Sequence, residues 1–160
     1  MAKNVVLLEN VNIMFRHFSG KKDNFHAEGQ RDFVVRLDRE MADQLERDGF
    51  VVKWLEPREE GDEPLPTLKV RVNFNGDYPP QVTMVTSRNK TRLDKESVEL
   101  LDYAEIITAD LFITPYDWTV NGKSGRTAYL DKLFVTIRED ELEQKYSDIP
   151  YSDERFDNID

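Results

Sequence analysis

The chain has 160 residues, 39% hydrophobic and 11% aromatic, with a formal charge of −10 and a pI near 4.8. That length bounds it to one domain with a sizeable core, and the lack of cysteine excludes disulfides, thiolate zinc sites and cysteine nucleophiles. MAKNVVLLEN is too weakly apolar for a signal peptide, and no run approaches the roughly 20 residues of a membrane span, so a soluble, intracellular protein is expected.

The first expected strand covers Val5 to Phe18, with Leu7, Val11, Ile13 and Phe15 on one face and Asn10, Asn12 and Arg16 on the other. A polar loop, SGKKDNFHAEGQ, leads to a second strand, Phe33 to Leu37. Asp38 reads as the N-cap of a short helix, REMADQLERD, which Gly49 ends. A third strand, Phe50 to Leu55, runs into an acidic Pro/Gly loop, EPREEGDEPLP. In the fourth strand, Thr67 to Phe74, Leu68, Val70, Val72 and Phe74 alternate with Lys69, Arg71 and Asn73.

The NGDYPP turn then leads to a strand over Gln81 to Ser87, and Asp94 is placed to cap a second short helix through Leu101. Ile107, Ala109, Leu111 and Ile113 give the next strand one buried face. Asn121-Gly122 makes the turn before a last strand, Thr127 to Ile137, the clearest hairpin signal in the chain. Residues 139–160 hold nine of the 32 acidic and two of the 22 basic residues, a segment charge of −7 that leaves −3 on the rest. A domain over residues 1–138 and a flexible acidic tail over 139–160 are expected.

Seven or so strands with two short helices and few βαβ spacings predict a mainly β, antiparallel Greek-key barrel of the OB type. A jelly roll or immunoglobulin-like sandwich fits the same periodicity.

Basic residues cluster where acids are absent. Residues 81–92 hold Arg88, Lys90 and Arg92; residues 65–74 hold Lys69 and Arg71; Lys21, Lys22, Lys123 and Arg126 lie in two loops. With Arg16, Arg36, Lys53 and Lys132 they can line a groove that tracks a phosphate backbone, although ordinary solvated strand faces give the same pattern. Tyr116 and Trp118 lie where a strand's polar face runs into the hairpin, Tyr78 sits in the NGDYPP turn, and Phe18 and Phe25 flank Lys21–Lys22. Rings to stack bases and cations to meet phosphates are what a sequence-tolerant single-strand binder requires, though the same rings can also close a barrel end.

Catalytic readings are weaker. Asp110, Asp117 and Asp131 are the best candidates for a nuclease metal site, but the other acids lie mostly in loops or the tail. Gly122-Lys123-Ser124-Gly125 lacks the upstream glycine and following helix of a P-loop. His17 and His26 are too few for a histidine-rich metal site; a pairing across the loop is open to them, but they read as ordinary loop and strand residues. No cofactor and no metal are expected.

NVNIMFRHFSG, the DFVVRLD–helix–GFVVKWLEPREE passage and ITPYDWTVNGKSGRTAYLDKLFVTI together resemble the OB-fold single-stranded-DNA-binding proteins of tailed bacteriophages, over roughly residues 4–138. The resemblance implies a non-enzymatic protein of the host cytoplasm that coats and protects single-stranded DNA in replication and recombination. It also implies an acidic C-terminus that competes with DNA and recruits replication or recombination proteins. Asp148-Ile149-Pro150-Tyr151 is similar to the Asp-Ile-Pro-Phe ending of bacterial counterparts, but ends in Tyr and is followed by nine residues, among them the isolated apolar Phe156. Homodimers occur in such families, and an exposed strand edge permits one.

Tyr78, Tyr116 and Trp118 are expected to stack bases. Lys69, Arg71, Arg88, Lys90, Arg92, Lys123 and Arg126 are expected to meet phosphates, with Arg16, Lys21, Lys22 and Lys53 behind them. The rival readings are a protein–protein adaptor or virion component on the same barrel, and a metal-dependent nuclease.

Overall fold

The computed structural model describes residues 5–138. Eight strands form one sheet: β1 (Val6–His17), β2 (Asp32–Arg36), β3 (Val52–Leu55), β4 (Leu65–Arg71), β5 (Gln81–Val85), β6 (Lys90–Leu93), β7 (Ile106–Val120) and β8 (Lys123–Ile137). One α-helix, α1 (Arg39–Arg47), and a 3-10 helix, Val98–Asp102, complete the described elements. None of the helices is long and apolar enough to cross a membrane.

Five of the strands close a ring. β1 pairs antiparallel with β2 and β7, β2 with β4, and β7 with β8. A short parallel pairing, Val70 to Ala128 and Arg71 to Tyr129, joins β4 to β8 and shuts the barrel. This is the expected OB-type Greek-key arrangement. β3 extends the sheet beside the N-terminal half of β4, while β5 runs parallel to the C-terminal half of β8 and carries β6 outside it. Phe33, Val35, Leu68, Val70, Leu111, Ile113, Leu133 and Val135 fill the interior.

The local signals act as read at three places. The Asp38 carboxylate accepts the Met41 amide at 2.7 Å, and α1 buries Ala42 and Leu45 before Gly49, at φ +95°, ends it. Asn121 and Gly122, at φ +51° and +79°, form a two-residue turn whose positive φ values match strand twist, so Val120 faces Lys123 directly. β4 alternates as expected, with Leu68 and Val70 buried and Lys69 exposed.

Elsewhere the facing differs. Leu8 and Val11 are buried while Leu7 is exposed, because Asn10 takes a left-handed φ of +51° and the pairing with β7 slips between Leu8 and Val11; Phe15 is exposed at a second irregularity, where it takes φ +48° and the pairing with β2 slips between Met14 and His17. A bulge shifts every later side chain to the other face. The bulge also frees the Asn10 amide, which donates to Asp110 Oδ1 at 2.7 Å. A second slip sets Phe112 opposite Lys132 but Ile113 opposite Leu130, so β8 buries Leu130 and Leu133.

Ile107 is half exposed, since the ladder is irregular at the start of β7. β6 was not expected: its four residues include only one buried side chain, Leu93. The expected helix after Asp94 is a turn followed by the 3-10 helix, because the Asp94 carboxylate binds the Glu96 and Ser97 amides and holds the chain in a turn.

Replacing Asn10 by valine places a β-branched residue at positive φ and should cost about 1–3 kcal/mol. Asn10→Gly should stay within about 1 kcal/mol of the parent, because glycine accepts that φ. Urea unfolding of the two variants measures the difference.

Candidate nucleic-acid interface

A hollow of about 810 Å³ lies where β3, β4 and the outer half of the β7–β8 hairpin meet. Because Leu68 and Val70 face the core, Lys69 and Arg71 face this groove from β4, and Lys53 joins them from β3. Tyr116 and Trp118, two residues apart on β7, line the opposite wall with Tyr129 of β8; Phe15 and Val34 contribute from β1 and β2. The Tyr116 and Tyr129 rings meet edge-to-face at 5.9 Å.

Trp118 faces Gly125 across the hairpin. A Cβ at Gly125 would lie 2.6 Å from Trp118 Cζ2 and 3.2 Å from Val51 Cγ2, so only glycine lets the indole lie flat across β8 at that point.

Two cations of the groove already have partners. Arg126 Nε lies 2.6 Å from Asp117 Oδ1, its guanidinium stands 5.9 Å from the Phe50 ring, and the ion pair holds the Asp117 carboxyl below its ordinary range. Lys69 Nζ lies 3.6 Å from Asp32 Oδ2. Phe15 stands out for a different reason: it is 66% exposed and has a left-handed φ of +48°.

The groove thus gathers Lys53, Lys69, Arg71, Tyr116, Trp118 and Arg126 from the residues read in the sequence. Tyr78 and Arg92 lie together in a second hollow of about 420 Å³ with Asp131 and Lys132. Arg88 and Lys90 lie at and beside the β5–β6 turn, and Lys123 borders the Asn121-Gly122 tip. Lys22 is exposed in the β1–β2 loop, where Lys21 pairs with Glu99 at 3.2 Å. Arg16 points elsewhere, donating to the carbonyl oxygens of Leu101 and Ala104 and fastening β1 to the 3-10 helix. Asp148, Ile149, Pro150, Tyr151 and Phe156 lie outside the described residues.

Sequence reasoning missed Phe15, Val34, Val51 and Tyr129 as groove residues. The bulge-tolerant Asn10 hinted that facing changes along β1, but nothing in the sequence marks the left-handed turn at Phe15.

The three aspartates weighed as a metal site stay apart. Asp110 and Asp117 are seven residues apart on one strand, roughly 23 Å at the usual rise. Asp110 accepts the Asn10 amide, Asp117 pairs with Arg126, and Asp131 is at the bulge of β8.

A family model described as "Putative phage ssDNA-binding domain" matches residues 2–160. No curated protein sequence gives a significant match. Among solved structures, the single-stranded DNA-binding protein from bacteriophage Enc34 superposes with a TM-score of 0.54 at 10% identity, covering 85% of this chain and 82% of that one. The same protein in complex with ssDNA gives 0.54 and 10%, covering 85% and 88%. Single-stranded DNA-binding protein gp2.5 of bacteriophage T7 gives 0.42 at 12% identity, covering 94% and 97%.

Gly125→Val should push the Trp118 indole off β8. In a Trp54→Phe background, where Trp118 is the one remaining tryptophan, its emission should shift to the red while the far-UV dichroism stays unchanged.

With residues 2–160 matched by one family model, the chain belongs to the phage single-stranded-DNA-binding domains.

Proposed function

We propose that this chain binds single-stranded DNA in the groove between β3, β4 and the β7–β8 hairpin, without strong sequence preference, and coats transient single strands during phage replication or recombination. The observation that carries this reading is the convergence of rings and cations in one open groove: the exposed Phe15 and Tyr116 and the half-buried Trp118 with Lys53, Lys69 and Arg71. Every base offers a π-face, so stacking is sequence-tolerant, while lysine and arginine follow the phosphates. Tyr78 and Arg92, beside the outer hollow, extend the path, and Arg88, Lys90 and Lys123 on the hairpin ends reach flanking phosphates. The family relationship supports the reading, as does the solved ssDNA complex of the Enc34 protein, whose fold this chain shares.

The reading is non-enzymatic. Residues 139–160, with their segment charge of −7, act as an internal competitor for the groove, and Asp148, Ile149, Pro150, Tyr151 and Phe156 serve as a docking segment for replication or recombination proteins.

Fluorescence anisotropy with a labelled oligonucleotide of roughly 30 nucleotides, longer than one OB-fold site, tests the groove. Trp118→Ala should cost about 1–3 kcal/mol, or about 5- to 150-fold in affinity. Lys69→Ala and Arg71→Ala should each lower the slope of log K against log salt by about 0.7. Wild-type affinity and slope in all three would overturn the assignment of the groove.

The tail is tested separately. A chain of residues 1–138 should bind more tightly than the full chain at low salt; equal or weaker binding removes the tail from the mechanism.

A further inference from the structure

The two histidines of the chain, His17 and His26, lie face to face, with ring centroids 3.8 Å apart and planes 10° from parallel. Their outer nitrogens meet groups that only accept: His17 Nε2 lies 2.8 Å from the Lys21 carbonyl oxygen, and His26 Nε2 lies 3.1 Å from Asp32 Oδ1. Both Nε2 atoms therefore carry the hydrogen, and in the neutral rings both Nδ1 atoms present lone pairs. Both lone pairs are near one carboxylate. His26 Nδ1 is 2.9 and 3.2 Å from the two oxygens of Asp23, and His17 Nδ1 is 3.5 Å from Asp23 Oδ2. Three acceptors set this close repel one another unless a cation stands between them. A proton on one ring relieves that ring's contact alone, whereas a divalent ion relieves all three.

We propose that His17 Nδ1, His26 Nδ1 and the Asp23 carboxylate form a binding site for a divalent transition-metal ion of the zinc class, completed by water. The donor atoms all lie within 4.8 Å of one another. Tetrahedral zinc, with bonds of about 2.0–2.1 Å, sets its donors roughly 3.3 Å apart, close to the separations from the Asp23 oxygens already present. Ligation tilts the two rings from parallel so that their lone pairs converge, a movement that His26, on a loop, can make.

Imidazole donors select zinc and its neighbours over magnesium or calcium. The outer contacts are those that ligating histidines make, with the far N–H on a backbone carbonyl or a carboxylate. Asp32 supplies the carboxylate from a position 2% exposed, where its other oxygen has no hydrogen-bond partner and faces Lys69 across 3.6 Å. The Phe25 amide, 2.8 Å from Asp23 Oδ1, orients the third ligand. His17 ends β1, Asp23 and His26 lie in the loop, and Asp32 begins β2, so a bound ion clips the β1–β2 loop to the barrel. None of the three ligands lines the groove, whose Lys69 faces the far oxygen of Asp32, and the proposal holds whether or not the groove binds DNA.

The test is titration of the full chain with zinc chloride in chelator-free, mildly alkaline buffer. It is read by long-range nitrogen–proton spectra of the imidazoles and by thermal unfolding. With two histidines in the chain, the ring signals localise the ion. One equivalent should shift both Nδ1 resonances, leave both Nε2–H groups in place and raise the unfolding temperature. Asp23→Asn keeps an acceptor for the Phe25 amide and should fold as the parent does, but bind zinc at least tenfold more weakly. Ring signals unmoved by excess zinc overturn the proposal, as does unchanged zinc affinity in the His17→Ala/His26→Ala double variant. A ring protonated on both nitrogens that zinc does not displace shows a proton site only and overturns it equally.

Discussion

β8 is hydrogen-bonded along both edges, and the rest of the molecule is arranged around that fact. One edge pairs with β7 over its whole length, from Val120–Lys123 at the turn to Ile106–Ile137 at the base. The other edge is shared in sequence by Phe50, by β4 and by β5. This barrel closes through a parallel pairing between strands distant in sequence, the two pairs linking β4 to Ala128 and Tyr129. Because closure occurs partway along β8, the outer part of the hairpin projects past the barrel wall. The groove lies in that corner, with β3 and β4 on one side and the projecting hairpin on the other.

How much of this was legible depends on the range of the signal. Asp38, Gly49 and Asn121-Gly122 act through neighbours a few residues away, so helix and hairpin could be read directly. The alternation of β4 also holds, because no bulge interrupts it, and Lys69 and Arg71 lie on the face opposite the buried Leu68 and Val70. Facing on β1 and β8 was not legible. Each bulge is one residue wide and reverses every assignment beyond it, and of the two positive-φ residues on β1 only Asn10 is of a type that favours that conformation. β6 has too little apolar content to stand out, and it exists because β5 offers it an edge. The carbonyls that capture Arg16 lie 85 and 88 residues away, beyond any local pattern, so a strand-face cation could not be told from a structural fastener.

The groove's charges follow a consistent logic. Lys69 faces Asp32 and Arg126 faces Asp117, so these cations are balanced within the fold before any ligand arrives. Such pairs keep the cations oriented and limit their mutual repulsion, at modest energetic cost because the Asp117 pair lies near solvent. A polyanion then exchanges one negative partner for another. For the proposed single-strand binder this favours a chain of many weak, replaceable contacts over a few tight ones.

Phe15 presents a problem that packing cannot answer. Asn10 takes its left-handed φ to make a bulge, and its side chain suits that conformation. Phe15 has no such aptitude, yet it holds φ +48° while 66% exposed. β1 remains paired with β2 on both sides, through Met14–Val34 and His17–Asp32, so the ladder over-determines the backbone and sustains the strain. Stability alone favours a relaxed backbone, or a small polar residue, at an exposed position. What the strained geometry achieves is to turn an aromatic ring outward, onto the rim shared with Tyr116 and Trp118. The strain at Phe15, together with its exposure, thus supports the proposed groove as the binding surface.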